Sequence, residues 1–185
     1  MYSDKYSKLY RGLIIILLDF RIMGFDVIPD LVGYIMILSA IASLEGYHKE
    51  IGKAKPFAIG LLILSITDIY QINENVLNGF TINNTTIIFM IITAVSVVMD
   101  IFMVYYITHS IMELTKRNNL NKLYETTHYR VKSYVVVNLI FLAIIPFTLN
   151  MPEDVVIGIS ILSGLVVFIM KILFINLIRQ TSKAF

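Results

Sequence analysis

Long runs of apolar residues, separated by short polar stretches, dominate this sequence. The runs lack the alternation of apolar and polar residues that marks a half-buried strand, and they approach the roughly 20 residues with which a helix crosses a ~30 Å hydrocarbon core. They therefore predict membrane-spanning helices, because a helix satisfies its own backbone groups in lipid. The expected fold is an all-α bundle, one transmembrane domain over residues 1–185, with six spans at about residues 9–25, 27–44, 57–72, 86–108, 133–149 and 155–177.

The basic residues fall in alternate loops between these spans. Lys and Arg occur before the first span, after the second and fourth spans and at the C-terminus, whereas the loops at 73–85 and 150–154 contain none; only Arg21 and Lys171 depart from this pattern. Because cytoplasmic loops carry an excess of Lys and Arg, we expect both ends of the chain in the cytoplasm. Apolar positions at helical spacing over residues 120–134 also predict a short helix on the inner surface before the fifth span.

Composition agrees with a membrane protein. Hydrophobic residues make up 57% of the chain and charged residues 15%, against roughly 45–50% and about 25% in soluble domains. The richness in Ile, Asn and Lys suggests a bacterial source, so the expected location is the bacterial cytoplasmic membrane, with the lipid bilayer as the main partner. A net charge of +2 is too small to indicate nucleic-acid binding. Cysteine is absent, which excludes disulfides, thiolate metal sites and cysteine nucleophiles.

The predicted outer turn between the first two spans is the most distinctive stretch. Its charged residues are Asp19, Arg21, Asp26 and Asp30. If the second helix begins at Asp26, that residue caps the helix and shares a face with Asp30 near its positive end. One interpretation is a site for a cation or a small-molecule ligand at the outer mouth. The alternative, which the sequence favours, is a capped turn in which Arg21 neutralises Asp19 or Asp26.

Three charged residues fall inside the predicted spans, namely Asp68, Asp100 and Lys171. A charge at the bilayer centre costs about 2.5–3.5 kcal/mol on insertion scales, so each is expected to have a partner or a function. At ~1.5 Å per residue, Asp100 and Lys171 lie at similar depths and are expected to pair, while Asp68 lies within reach of Arg21. These residues either line an ion or ligand pathway or form ion pairs that fix helix packing, and packing is the favoured alternative.

One part of the chain resembles a known group of proteins. From Asp19 to Asp30 the sequence reads DFRIMGFDVIPD, and Gly33 and Tyr34 follow. This pattern resembles the N-terminal signature of uncharacterised multi-pass membrane proteins of bacteria, and the resemblance covers roughly residues 5–45. It implies a multi-pass architecture, and no activity is attached to that group.

No motif for enzymatic chemistry is present. The sequence lacks the phosphate-binding glycine loops, the G-x-S-x-G nucleophile turn and the H-E-x-x-H zinc motif. Metal and cofactors are not expected, and the sequence favours a non-enzymatic protein. The leading hypothesis is a small-molecule- or ion-binding, transport-associated subunit. The alternative is a membrane interaction protein, either an immunity or stress-resistance factor or an accessory subunit of a larger complex, whose acidic outer surface attracts a cationic peptide or a membrane protein partner.

Overall fold

A computed structural model describes residues 3–18, 21–22, 25–26, 30–69 and 84–185. The described part is almost entirely helical, which confirms the all-α class, and it adds one antiparallel pair of two-residue strands, β1 (Arg21–Ile22) and β2 (Phe25–Asp26). A short 3-10 helix, Lys49–Ala54, precedes the third α-helix. The six α-helices are α1 (Ser3–Leu18), α2 (Asp30–Glu45), α3 (Lys55–Ile69), α4 (Asn84–Arg117), α5 (Asn121–Thr148) and α6 (Glu153–Ala184).

Three of these helices, and not six, are long and apolar enough to cross a membrane. The qualifying segments are Met90–Arg117, Asn121–Thr148 and Asp154–Ala184. The described parts of α1, α2 and α3 contain 16, 16 and 15 residues. At ~1.5 Å per residue these described parts cover about 22–24 Å of a ~30 Å hydrocarbon core. The described residues therefore contain three helices of spanning length, each of which overlaps a predicted span.

The first two predicted spans have wrong boundaries. Helix α1 ends at Leu18 rather than near residue 25, and Arg21 then pairs with Asp26 across the small antiparallel ribbon. The strand pairing uses backbone N–H and C=O groups that a continuing helix would need, so α1 cannot extend to residue 25. Helix α2 begins at Asp30. Asp26 lies in β2 and not in α2, so the expectation that it shares a helix face with Asp30 is wrong. The side chain of Asp26, which was expected to cap the helix, lies outside the described residues.

The turn between α4 and α5 is much shorter than predicted. Asn119 adopts a left-handed backbone conformation with φ of 57°, and the N–H of Leu120 donates to the carbonyl of Thr115 at 2.9 Å. These features define a Schellman turn, which ends α4 and satisfies its last carbonyls. Helix α5 then starts at Asn121 and continues to Thr148, so the helix expected at residues 120–134 is present, but it is continuous with the fifth span. The buried side chains of α5 form one stripe along the middle of the helix: Thr127, Val131, Tyr134 and Asn138.

The helices form a closed ring. Each packs against the next in chain order, and α6 returns to pack against α1. At that closure the hydroxyls of Ser7 and Ser182 lie 2.8 Å apart, and Ser182 donates to the carbonyl of Ser3 at 2.9 Å. The beginning of α1 and the end of α6 therefore lie at the same end of the bundle.

That end also collects most of the positive charge, and we call it the basic end. It comprises the start of α1, the end of α2, the 3-10 helix, the α4–α5 turn and the end of α6. Lys5 joins α1 to α2 by donating to the carbonyl of Ser43 at 2.9 Å, and its ammonium lies 3.8 Å from the ring centre of Tyr47. The 3-10 helix packs against α4, and one groove joins Asn119 to Gln180.

The buried core lies towards the basic end, and many apolar side chains in the opposite halves of the long helices are exposed. Fully buried large side chains come from all parts of that end, including Tyr6, Ile41, Ile107 and Ile178. Within the apolar window of α6, by contrast, only 6% of the residues are buried. Large exposed apolar surfaces mark an interface with another protein or with lipid. The exposed side chains of α6 include Val155, Ile157, Ile161, Leu162, Leu165, Phe168 and Ile169.

Helices α1 and α2 approach each other closely at two glycines. A Cβ atom added to Gly12 would lie 2.8 Å from the carbonyl oxygen of Gly33, and one added to Gly33 would lie 2.9 Å from that of Gly12. Small residues at a helix crossing let the two backbones come together, which is the usual source of packing energy between helices in lipid. These glycines set the distance between α1 and α2.

Candidate functional site

A small polar cavity lies inside the ring of helices, and we call it the central cavity. Its polar wall consists of Tyr34 on α2, Asp100 on α4, Tyr134 on α5 and Lys171 on α6. Its volume is about 20 Å³, which is enough for about one water molecule. Apolar side chains of the same helices and of α1 complete the wall, including Leu13, Leu17, Met103 and Phe174.

The hydroxyl of Tyr134 donates a hydrogen bond to the carboxylate of Asp100. Tyr134 is only 2% exposed and belongs to the buried stripe of α5, so its ring is fixed by packing, in part against Phe174 at 6.1 Å between ring centres. Asp100 is partly buried, and a carboxylate removed from water without a donor is costly. The phenol therefore supplies the polar partner that Asp100 needs between helices.

Lys171 lines the same cavity from α6. The structure thus brings together the two residues for which the sequence predicted similar depths. Neither Asp100 nor Lys171 takes part in a direct ion pair among the side chains that the structure describes. The Asp100–Lys171 ion pair stays a prediction, and the contact that the carboxylate makes is with Tyr134.

The predicted outer site falls mostly outside the described residues. Asp19 lies outside them entirely, and so do the side chains of Arg21, Asp26 and Asp68, whose backbones belong to β1, β2 and α3. Asp30 is the first residue of α2 and is partly buried. It is not among the residues that line the central cavity. A ligand or ion site formed by these five residues stays a prediction.

Charged groups outside the long helices stabilise the basic end. Lys53 donates to Glu50 at 2.6 Å, and this hydrogen bond lowers the pKa of Glu50 and raises the pKa of Lys53. Lys55 forms a second ion pair with Glu45 across the 3-10 helix.

His48 lies just before the 3-10 helix, and burial is the main cause that lowers its pKa. The positive charge of Arg117 adds to that effect, while Glu113 opposes it.

Sequence reasoning missed the role of Tyr134. It belongs by sequence to a group of tyrosines expected at the inner membrane surface, where an amphipathic ring is favoured. The structure buries its ring instead and directs the hydroxyl to Asp100. The helical spacing of Thr127, Val131 and Tyr134 was the available signal, because it places all three on one face of α5.

The fold and the cavity define an α-helical protein whose described part contains three helices long and apolar enough to cross a membrane, with a polar cavity between its helices. Among the described residues, no group of three or more His, Asp or Glu side chains is arranged to hold a metal ion. No protein-family model matches the sequence, and no curated protein or solved structure matches it either. The resemblance to multi-pass bacterial membrane proteins over residues 5–45 therefore stays a prediction.

Proposed function

We propose that this chain is a non-enzymatic protein of the bacterial cytoplasmic membrane that crosses the bilayer six times and binds or passes a small ion as part of transport. Both chain ends face the cytoplasm in this proposal. It is supported by the basic end, where the start of α1 and the end of α6 lie side by side. An even number of crossings brings both ends of a chain to one side, and the positive charge favours the cytoplasmic side.

The central cavity is the observation that carries the functional part. A carboxylate, a phenol and an ammonium group meet there between helices. Ionisable groups at membrane depth are costly and mark ion paths or proton relays. The cavity holds about one water molecule, so it suits a proton or a single small ion better than a metabolite. The sequence favoured a packing role for these residues, and the experiment below separates the two roles.

Thermal unfolding of the purified protein tests this function. We expect the melting temperature of the parent protein at one fixed pH to depend on the concentration of Na⁺, K⁺ or Mg²⁺, and Asp100→Asn to remove that dependence. Asp154→Asn is the matched control, because Asp154 is an exposed carboxylate at the other end of the bundle. If Asp100→Asn lowers the melting temperature but leaves its response to ions unchanged, the residue serves packing alone and the proposal fails.

A second candidate function is membership of a larger membrane complex. A shallow apolar groove of about 200 Å³ between α5 and α6 favours it, with Phe141 and Ile144 on one side and Leu162 and Val166 on the other. An apolar groove can accept a helix of a partner protein as well as lipid. Extraction of the tagged chain from its native membrane in a mild detergent tests this function. Recovery of the chain alone would count against it, and recovery of one stoichiometric partner, lost on Leu162→Asn, would support it.

A further inference from the structure

A groove between α1 and α6 at the basic end has no role in the function proposed above. We call it the α1–α6 groove, and its volume is about 440 Å³. Helix α1 contributes Ser3, Ser7 and Arg11, which are four residues apart and so follow one face of the helix. Helix α6 contributes the facing residues Arg179, Ser182 and Lys183.

Three positively charged side chains line this groove, and none of the described residues that line it has an acidic side chain. Among the side chains that the structure describes, none of Arg11, Arg179 and Lys183 takes part in an ion pair or a hydrogen bond. The acidic residue of α1 is Asp4, and it does not line the groove. Like charges held close together repel each other. An anion in the groove would relieve that repulsion.

The hydroxyl groups of the groove add hydrogen-bonding capacity. Ser7 and Ser182 lie 2.8 Å apart, and the phenol of Tyr10 lines the same space. A guanidinium presents several N–H donors in a plane and fits a phosphate with two parallel hydrogen bonds. Two guanidinium groups, one ammonium and neighbouring hydroxyls form a donor set suited to a phosphate group.

We propose that the α1–α6 groove binds the phosphate of an anionic phospholipid headgroup. The groove lies between two helices at the end of the bundle where most of the basic residues collect, and such basic pockets on the cytoplasmic side of membrane proteins bind anionic headgroups. In α1 the apolar run from Gly12 to Leu18 follows Arg11 directly, so the cations lie at the height where headgroups meet the hydrocarbon. This inference requires only that the chain resides in a membrane.

Binding of soluble short-chain lipids to the full chain in detergent tests the inference. The probes are dihexanoyl phosphatidylglycerol, dihexanoyl phosphatidylcholine and inorganic phosphate, each titrated while bound lipid is measured by native mass spectrometry and by the shift in melting temperature. We expect phosphatidylglycerol to bind and to raise the melting temperature. Phosphatidylcholine, which has no net charge, should bind at least tenfold more weakly.

The groove variant replaces its three cations as Arg11→Gln, Arg179→Gln and Lys183→Gln. A basic residue near an anionic lipid contributes about 1 kcal/mol, so the triple variant should bind phosphatidylglycerol roughly 100-fold more weakly. The matched control removes three exposed positive charges elsewhere, as Lys49→Gln, Lys116→Gln and Lys132→Gln, and should change the affinity less than about threefold. None of these three lines the groove.

A charge-retaining variant separates binding from folding. Arg11→Lys combined with Arg179→Lys keeps the positive charge. Its affinity for phosphatidylglycerol should stay within about fivefold of that of the parent protein. Equal losses in the groove and control triples, or no loss in either, would show that attraction to the lipid is general and overturn the proposal. If inorganic phosphate binds as tightly as phosphatidylglycerol and displaces it, the ligand is free phosphate and the lipid assignment is wrong.

Discussion

Tyr134 and Asp100 show how one hydroxyl group can satisfy a partly buried carboxylate between helices. Tyr134 is fixed by its packing in α5, and its hydroxyl is the hydrogen-bond donor that the described residues offer to Asp100. A hydrogen bond to a charged group contributes more than one between neutral groups, and loss of the phenol would leave the partly buried carboxylate without this donor. The stability of the bundle should therefore respond to removal of a single oxygen atom.

Replacement of Tyr134 by Phe removes that oxygen and keeps the ring. We expect the free energy of unfolding to fall by about 1–3 kcal/mol, measured by thermal or denaturant unfolding in detergent. Tyr129→Phe is the control on the same helix, because Tyr129 is 66% exposed. Equal stability of the two variants would contradict the proposed importance of the contact with Asp100.

His48 makes the stability of the basic end depend on pH. Burial lowers its pKa in the folded protein, whereas the pKa in the unfolded chain stays near about 6.5. At higher pH the residue is neutral in both states and makes no difference. As the pH falls below about 6.5, the unfolded chain takes up the proton more readily, so the folded state loses stability.

The His48→Gln variant should lose part of this pH dependence. The measurement is the melting temperature between pH 7.5 and 5.5, which we expect to fall less for His48→Gln than for the parent protein. His128→Gln provides the comparison, because the side chain of His128 is exposed and outside the buried contact of the 3-10 helix with α4. If His48→Gln follows the parent curve, the buried imidazole is not the sensitive group.

At the scale of the helices, the closest packing occurs where two glycines meet. The carbonyl oxygens of Gly12 and Gly33 leave no room for a methyl group on the other helix. Interdigitation at such short range fixes both the separation and the register of α1 and α2. These two helices in turn form part of the wall of the central cavity, through Leu13 and Tyr34.

Alanine at either glycine should push α1 and α2 apart. For Gly33→Ala the new methyl group would lie 2.5 Å from Cγ1 of Ile16 and 2.9 Å from the oxygen of Gly12. We expect a loss of about 1–3 kcal/mol in the free energy of unfolding, as for other overpacked sites. Gly164→Ala in α6 is the control, since nothing lies within 4 Å of its added Cβ. A loss of similar size at Gly164 would show that the effect is not steric.

The helices were predictable from sequence more reliably than their ends. Apolar run length located the six described α-helices but not the 3-10 helix Lys49–Ala54, because a long hydrophobic run has few other stable forms. The predicted helix ends were wrong where backbone hydrogen bonds determine the position at which a helix stops. The pairing of Arg21 with Asp26 stops α1 early, and the left-handed Asn119 permits a tight turn that leaves α5 continuous. Neither feature changes the hydropathy pattern, so that pattern could not reveal them.

The candidate site was predictable only in part. Their positions along the predicted spans put Asp100 and Lys171 at similar depths in the membrane, and both line the central cavity in the structure. The choice of partner depends on the rotation of each helix about its axis. Such rotations are set by packing of the buried stripe of α5 and not by depth. This is why Tyr134, and not Lys171, holds the carboxylate in the structure.

For the whole molecule, closure of the ring gives an expectation about sidedness. The end of α6 lies beside the start of α1, and the α4–α5 turn lies at the same end. The turn between α5 and α6 follows the opposite end of α5. The two turns should therefore face opposite sides of the membrane.

Cysteine labelling tests this arrangement, because the natural sequence contains no cysteine. We expect Asn150→Cys to react with a membrane-impermeant maleimide in intact cells, and Asn119→Cys to react only after permeabilisation. Both positions are exposed in the structure, so accessibility is not limited by packing. Labelling of Asn119→Cys in intact cells would reverse the proposed orientation and overturn the assignment of the basic end to the cytoplasm.

The uneven burial along α6 has a consequence for how this gene can vary. Near Leu162 and Leu165 the side chains are largely exposed, while Leu177 and Ile178 are fully buried in the core. Near Leu162 and Leu165, selection should therefore require only a hydrophobic side chain. Near Leu177 and Ile178 it should also require a side chain of matching size and shape. The two parts of α6, which meet close to Phe174, should therefore accept different sets of amino-acid substitutions.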